Sequence, residues 1–306
     1  MGSDNFMKKF NLFTSYFLIP ILFIIYCFYV VFDYAHLSSV ARNIVDKKQK
    51  DIGMHNDING LILGGSNALY GLSAEKISKE TNQSWFNFSL LSEGFSDENY
   101  WEYIENNIPI NERLKVNTII YSSITPLSEQ EISERKVNEK NIFGHKTIGL
   151  KPQVNLYKYI KEGEKIHNHP KENNLITANS YGDIDFKKIE CNFIEEDAYL
   201  HSPNKNSEVG IWLINQIKII HNLFPNAKIY FVLPSLYHLK NYDNTAREIL
   251  KRNIDETFLE YKKINRNISF IIQDPLPLSS LVCDMAHHPN SEGREWRTKN
   301  LLNYMS

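Results

Sequence analysis

The sequence lacks several features that would place it in a functional class at once. It has three cysteines, none of them in a Cys-x-x-Cys pair, which excludes a disulfide framework and a zinc or dithiol redox motif of that kind. It also lacks an excess of charge of either sign, with 34 basic and 36 acidic residues and a net charge of -2. Nucleic-acid-binding proteins need surplus lysine and arginine to neutralise phosphates, so we expect no nucleic-acid partner.

The sequence does contain one long apolar run, residues 12–32, which holds 21 residues without a charge. A helix of about 20 apolar residues spans the ~30 Å hydrocarbon core of a membrane, whereas the apolar core of a signal peptide has about 7–15 residues. We therefore interpret residues 1–34 as an N-terminal transmembrane anchor, with a cleavable signal peptide as the alternative. Basic residues flank the run on both sides, so charge alone does not set its orientation.

The rest of the chain divides into a linker and a larger domain. Residues 35–57 are polar and charged, and we interpret them as a stalk or linker. Residues 58–306 alternate short apolar runs with amphipathic stretches, which predicts a doubly wound, flavodoxin-like α/β domain with a mostly parallel five-stranded sheet. An irregular insertion at about 127–205 is either an excursion over the active face or a partly mobile segment. The five predicted strands are residues 59–65, 85–89, 116–121, 228–233 and 268–273.

A serine follows the first predicted strand, in the sequence Leu63-Gly64-Gly65-Ser66-Asn67. Ligands of doubly wound sheets bind at the carboxyl ends of the strands. The two glycines allow a sharp turn beside the hydroxyl, and a helix that begins just after them directs free N–H groups toward developing negative charge. Ser66 is therefore a candidate nucleophile, and the alternative is a serine that caps the helix.

A second candidate segment, residues 283–290, precedes the last predicted helix. Asp284 and His287 are three residues apart, so one turn brings the carboxylate to the imidazole. The carboxylate then fixes the orientation and tautomer of the ring, whose other nitrogen is free to take a proton from a serine. The alternative is a solvated loop with a helix cap at Asn290.

Together, the Gly-Gly-Ser-Asn turn at Ser66 and the pair Asp284 and His287 resemble the SGNH/GDSL hydrolase superfamily. Residues 61–72 are similar to the first block of membrane-anchored members that take part in O-acylation of bacterial cell-surface polysaccharides, and residues 87–94 are similar to their second block. The resemblance covers roughly residues 58–126 and 207–304. It implies Ser66 as nucleophile and His287 as base, with His288 as the alternative base because His-Pro is the family's common pairing.

The resemblance also implies an oxyanion hole, and there the sequence departs from the family. In the family, the glycine matched by Gly94 donates a backbone N–H, and an Asn of the third block donates its side chain. This chain has Ser122 and Ser123 in the third block, so either a serine hydroxyl replaces the Asn or backbone groups act alone. Gly65 stands where the family usually has Asp. Loss of one oxyanion donor costs ~10²–10³ in rate, so weak hydrolysis is expected.

The function that the resemblance implies is transfer of an acyl group, most simply acetyl, from a serine acyl-enzyme to hydroxyls of a bacterial cell-surface or exported polysaccharide. A carbohydrate acetyl esterase and a catalytically inactive glycan-binding scaffold are the alternatives. The resemblance also implies a single-pass protein of the bacterial inner (cytoplasmic) membrane with an extracytoplasmic catalytic domain. Because acyl-CoA is cytoplasmic, we expect a multi-span membrane partner to deliver the acyl group.

The remaining candidates carry weaker signals. His167 and His169 lie in the irregular insertion without a carboxylate or Cys partner at ligand spacing, so we expect a solvated loop there, and no metal or cofactor. Cys191 and Cys283 can pair if the domain is extracytoplasmic, but the sequence does not establish that they lie close together.

Overall fold

The computed structural model is an α/β domain built on one parallel sheet. It describes residues 16, 19–24, 39–55, 57–90, 97–122, 177–186, 189, 191, 208–235, 237, 248, 251–256, 259, 262, 267–283 and 287–305. The strands are β1 (Gly60–Gly64), β2 (Trp85–Asn87), β3 (Thr118–Ser122), β4 (Lys228–Val232) and β5 (Ile268–Ile271). The helices are α1 (Ser39–Ile52), α2 (Ser66–Gly71), α3 (Ala74–Thr81), α4 (Asp97–Asn107), α5 (Ile110–Arg113), α6 (Glu208–Leu223) and α7 (Ser291–Met305).

The described strands form a five-stranded sheet in the order β2-β1-β3-β4-β5, and every neighbouring pair is parallel. The predicted α/β class and five-stranded parallel sheet are therefore confirmed. Side chains from both faces of the sheet are buried, which explains why the strands are mostly apolar and do not alternate apolar with polar residues. The chain leaves β1 toward β2 on one side and returns to β3 on the other, so the carboxyl end of β1 is a topological switch point.

The predicted linker, residues 35–57, is wrong over most of its length, because residues 39–52 form helix α1. Ile44, Val45 and Ile52 of this helix are buried in the domain core. The Tyr103 hydroxyl of α4 also donates to the Val45 carbonyl at 3.1 Å. Helix α1 is thus part of the folded domain, and the domain begins well before residue 58.

Part of the predicted insertion, residues 177–186, packs against the sheet. Ala178 and Ile184 form an antiparallel bridge, and the Asn87 N–H donates to the Tyr181 carbonyl at 2.8 Å. The buried Asp183 carboxylate accepts the backbone N–H of Ala74 at 2.8 Å, at the start of α3. Residues 177–186 therefore cover the free edge of β2, while residues 127–176 lie outside the described part of the chain.

Most of the predicted anchor also lies outside the described residues. Of the apolar run 12–32, the structure describes Tyr16 and residues 19–24. Within the described ranges, no helix is long and apolar enough to cross a membrane. Ile19, Leu22 and Phe23 are 57%, 56% and 64% exposed, so no described part of the domain covers these side chains.

Candidate active site

The candidate nucleophile lies at the switch point, on a turn that two glycines build in different ways. Gly64 ends β1 with φ +134°, and a Cβ there would lie 1.8 Å from the Ser122 carbonyl oxygen, so this position requires glycine. Gly65 has φ -93° and ψ -160°, which any residue adopts, and occupies the N-cap position of α2. Ser66 is the first residue of the helix, so its hydroxyl is not used as the N-cap. The alternative role of Ser66 as a helix cap is therefore wrong.

A buried arginine that sequence reasoning missed lies behind this turn. Arg297 of α7 donates from Nη1 to the Asn67 carbonyl at 2.6 Å, from Nη2 to Ser122 Oγ at 2.9 Å, and from Nε to Gln273 Oε1 at 2.9 Å. The guanidinium thereby ties together the carboxyl ends of β1, β3 and β5. Full burial lowers the pKa of Arg297 to about 9.

Arg297 donates its hydrogen bonds to uncharged oxygen atoms. The acceptors that it contacts among the described residues are carbonyl, hydroxyl and amide oxygens, none of them a carboxylate. Charge acts over a longer distance in a buried, low-dielectric site than in water. Arg297 therefore contributes positive potential next to the Ser66 turn.

The predicted oxyanion residues lie partly within the described chain. Ser122 is fully buried at the end of β3, and its hydroxyl donates to Asn67 Oδ1 at 2.8 Å while it accepts from Arg297. Its single proton is therefore already engaged, and an oxyanion could take it only if this hydrogen bond broke. Ser123 and Gly94 lie outside the described residues.

The described part of the second sequence block, residues 87–90, runs alongside β1 up to the Ser66 turn. The pairing of β1 with its neighbour continues beyond β2, because Phe88 N–H donates to the Ile62 carbonyl at 2.7 Å and Leu90 N–H donates to the Gly64 carbonyl at 3.0 Å. The buried Tyr100 hydroxyl accepts the Gly64 N–H at 2.9 Å. Leu90 is thus level with the end of β1, and the chain toward Gly94 departs from that point.

The candidate histidines lie on a loop that is closed at its base. Val282 and Pro289 form an antiparallel bridge, and Cys283 N–H donates to the His288 carbonyl at 2.7 Å. Residues 284–286, which include Asp284, lie outside the described chain. The structure describes the chain up to Cys283 and again from His287.

The helix cap at Asn290, which belongs to the alternative interpretation of this segment, is present. Asn290 Oδ1 accepts the Gly293 N–H at 3.0 Å in the first turn of α7. The cap fixes the point at which the loop ends and the helix begins.

The loop brings His288 against the helix that begins with Ser66, and His287 against His288. The His288 ring stacks on Tyr70 with ring centroids 4.5 Å apart and an interplanar angle of 9°, and Tyr70 lies one helical turn after Ser66. The His287 ring meets the His288 ring edge-on, with centroids 4.3 Å apart. His288 is buried by this stacking, whereas His287 is half-buried. The structure thus brings together two motifs that lie about two hundred residues apart in the sequence.

Cys191 and Cys283, whose proximity the sequence does not establish, form a disulfide, with the two Cα atoms 4.2 Å apart. It joins the histidine loop at Cys283 to the segment that covers β2. Phe186 of that segment also packs edge-on against Tyr70, with ring centroids 5.9 Å apart. Part of the predicted insertion therefore reaches the candidate site, consistent with the first of its two interpretations.

The structure describes no metal centre. In the described ranges, no group of three or more His, Cys, Asp and Glu side chains is arranged to hold a metal ion. His167 and His169 lie outside those ranges.

No protein-family model and no curated protein matches the chain. Among solved structures, an acetyl xylan esterase from the rumen bacterium Butyrivibrio proteoclasticus is 13% identical, with a TM-score of 0.38 over 80% of this chain and 63% of its own. An active-site mutant of a family two carbohydrate esterase from Clostridium thermocellum is 8% identical, with a TM-score of 0.41 over 81% of this chain and 63% of its own. A lipase from a goat rumen metagenome is 10% identical, with a TM-score of 0.36 over 80% of this chain and 95% of its own. The chain spans 63% of the length of the two carbohydrate esterases.

Proposed function

We propose that this chain is a serine esterase that removes acetyl groups from carbohydrate through an acetyl-enzyme on Ser66. The observation that carries the proposal is the stacking of His288 on Tyr70, which places His288, and next to it His287, beside the helix that starts with Ser66. A nucleophile, a base and a carboxylate that orients the base are the groups that covalent acyl transfer requires. The carbohydrate class follows from the sequence resemblance to the polysaccharide O-acylation branch.

The proposed reaction has two half-reactions. His287, oriented by Asp284, takes the Ser66 proton while Oγ bonds to the acetyl carbonyl carbon. Collapse of the tetrahedral intermediate breaks the bond to the sugar oxygen, which takes the proton from His287. Water then attacks the acetyl-serine as His287 takes a water proton, and collapse releases acetate and returns the proton to Ser66.

Negative charge on the intermediate requires donors near Ser66. The backbone N–H groups of Ser66 and Gly94 are the proposed oxyanion donors, the second on the strength of the family resemblance. Arg297 supports them through its positive charge, since its Nη1 is 2.6 Å from the Asn67 carbonyl oxygen.

The disulfide supports the proposed location. Structural disulfides form and persist in oxidising compartments and are rare in the cytosol. The Cys191–Cys283 bond is therefore what we expect of a domain on the outer side of the bacterial cytoplasmic membrane. The exposed apolar side chains of residues 19–24 support a membrane attachment through the apolar run 12–32.

Transfer of the acetyl group to a polysaccharide hydroxyl is the second candidate function. The apolar run favours it, because an anchored enzyme stays next to membrane-bound or exported glycan. Hydrolysis needs only water as its second substrate, whereas transfer needs a bound acceptor and a multi-span partner that supplies acyl groups.

One experiment tests the nucleophile and then separates the two functions. The full-length chain in detergent is incubated with an activated acetyl ester, and its intact mass is measured. We expect one added acetyl group that Ser66→Ala does not acquire. Adding a soluble oligosaccharide then partitions the product, with free acetate expected to dominate over acetylated sugar. Equal labelling of wild type and Ser66→Ala would refute the acetyl-enzyme and favour an inactive scaffold.

A further inference from the structure

The ammonium group of Lys48 on α1 is fully buried inside the domain. Its Nζ donates to the Asn87 carbonyl at 2.7 Å and to the Ser89 carbonyl at 2.7 Å. Both acceptors belong to the second sequence block, about forty residues further along the chain. A lysine in the segment that the sequence presents as a linker therefore holds the backbone of a block that leads to the candidate site.

Burying the charge of Lys48 costs free energy, so a lysine at this buried position points to a role that an apolar side chain does not fill. Burial lowers the pKa of Lys48 to about 7, and the negative charge of Asp183 opposes the shift. A buried charge costs several kcal/mol unless hydrogen bonds and opposite charge compensate it. An apolar side chain of similar length would fill the same space without that cost. What such a side chain cannot do is donate to two carbonyl groups.

Those two carbonyls lie on the free edge of the sheet. Strand β2 is an edge strand, and its inner side pairs with β1 through the Phe88 and Leu90 N–H groups. On the outer side, the Tyr181 carbonyl accepts the Asn87 N–H, and Lys48 donates to the Asn87 and Ser89 carbonyls, with which no described strand pairs. The backbone from residue 87 to residue 90 is thereby held from both sides.

We propose that Lys48 is a positioning residue that fixes the second block relative to Ser66. The backbone segment held from both sides, residues 87–90, ends at Leu90. The Leu90 N–H donates to the carbonyl of Gly64, two residues before Ser66. The described part of the second block, residues 87–90, is therefore held beside the end of β1. The inference rests on the proposed function, and it makes helix α1, which follows the apolar run in sequence, a working part of the catalytic domain.

The test compares Lys48→Met with Lys48→Arg and with Lys50→Met in the full-length chain. Lys50 is exposed on the same helix and is the matched control. We expect Lys48→Met to lower kcat on a soluble acetyl ester at least tenfold while KM and the thermal midpoint stay close to wild type, because Met fills the space but donates nothing. A guanidinium can still donate to two carbonyls, so Lys48→Arg should recover part of the lost kcat. Lys50→Met should match wild type.

Each outcome decides the inference. A wild-type kcat in Lys48→Met overturns it. A loss of kcat in both Lys48 variants also overturns it if that loss matches the fraction of unfolded protein in thermal melts. The Ser66 acetylation rate per folded molecule provides a second reading if Lys48→Met folds poorly. If wild type and Ser66→Ala label equally, the proposed function fails, and the inference fails with it. If Ser66 labels normally and Lys48→Met labels at the wild-type rate, only the inference fails.

Discussion

The two sides of the candidate site are held in place by different means. The serine side is fixed by buried hydrogen bonds at the carboxyl end of the sheet, from Arg297 of α7 to Asn67 of α2 and from Leu90 to Gly64 at the end of β1. The histidine side is fixed by a disulfide at Cys283 and by ring stacking on Tyr70, with one bridge at the base of the loop. The position of the proposed nucleophile is thus set by the end of the sheet, while that of the proposed base depends on a covalent bond to a segment outside the sheet.

This difference means that the two sides can be perturbed separately. Hydrogen bonds buried in a sheet open only when the sheet opens, whereas a loop held by a disulfide loses its restraint as soon as that bond is reduced. Variants on the histidine side should therefore change the chemistry or the loop while the Ser66 turn remains intact.

The largest expected effect comes from the two histidines. His287→Ala should lower the rate of Ser66 acetylation by about 10²–10⁴-fold, because general-base catalysis contributes that much. His288→Ala should lower the rate less and the stability more, because His288 stacks on Tyr70. Stopped-flow kinetics with an activated acetyl ester, together with urea unfolding, measures both. If His288→Ala shows the larger rate loss at unchanged stability, His288 is the base.

The next effect comes from the disulfide. Its cysteines are 92 residues apart, so its removal in Cys191→Ala/Cys283→Ala should lower the free energy of unfolding by about 2–4 kcal/mol. Urea unfolding measures this loss, and adding reductant to the double variant is the control that should change nothing further.

Hydrogen exchange on the wild type then tests the contrast between the two sides. Reductant should speed exchange of the Cys283 amide, which bonds to the His288 carbonyl, and leave the Leu90 amide protected. Loss of protection at both amides would show that the two sides do not move independently.

The sheet and the outline of the site could be predicted from sequence because both follow local rules. Short, mostly apolar runs marked all five strands, and glycine beside Ser66 marked the turn. The helix at Ser39–Ile52 was missed because its lysines suggested a solvated segment, yet Lys48 faces the core. Arg297 belongs to none of the recognised sequence motifs. Its role depends on the ends of three strands that meet only in the folded sheet.

The smallest expected effect concerns the glycine that precedes the nucleophile. A Cβ at Gly65 would meet nothing within 4 Å, and its backbone angles suit any residue, whereas a Cβ at Gly64 would meet the Ser122 carbonyl. Gly65→Asp restores the residue that the resembling family has, and Asp is a good N-cap. It should therefore change the free energy of unfolding by less than about 1 kcal/mol, in the stabilising direction. Gly64→Ala, the matched control, should cost about 3 kcal/mol or more. Urea unfolding measures the free energy of both variants. Equal losses in the two would mean that the Ser66 turn has no room for a side chain at Gly65 either.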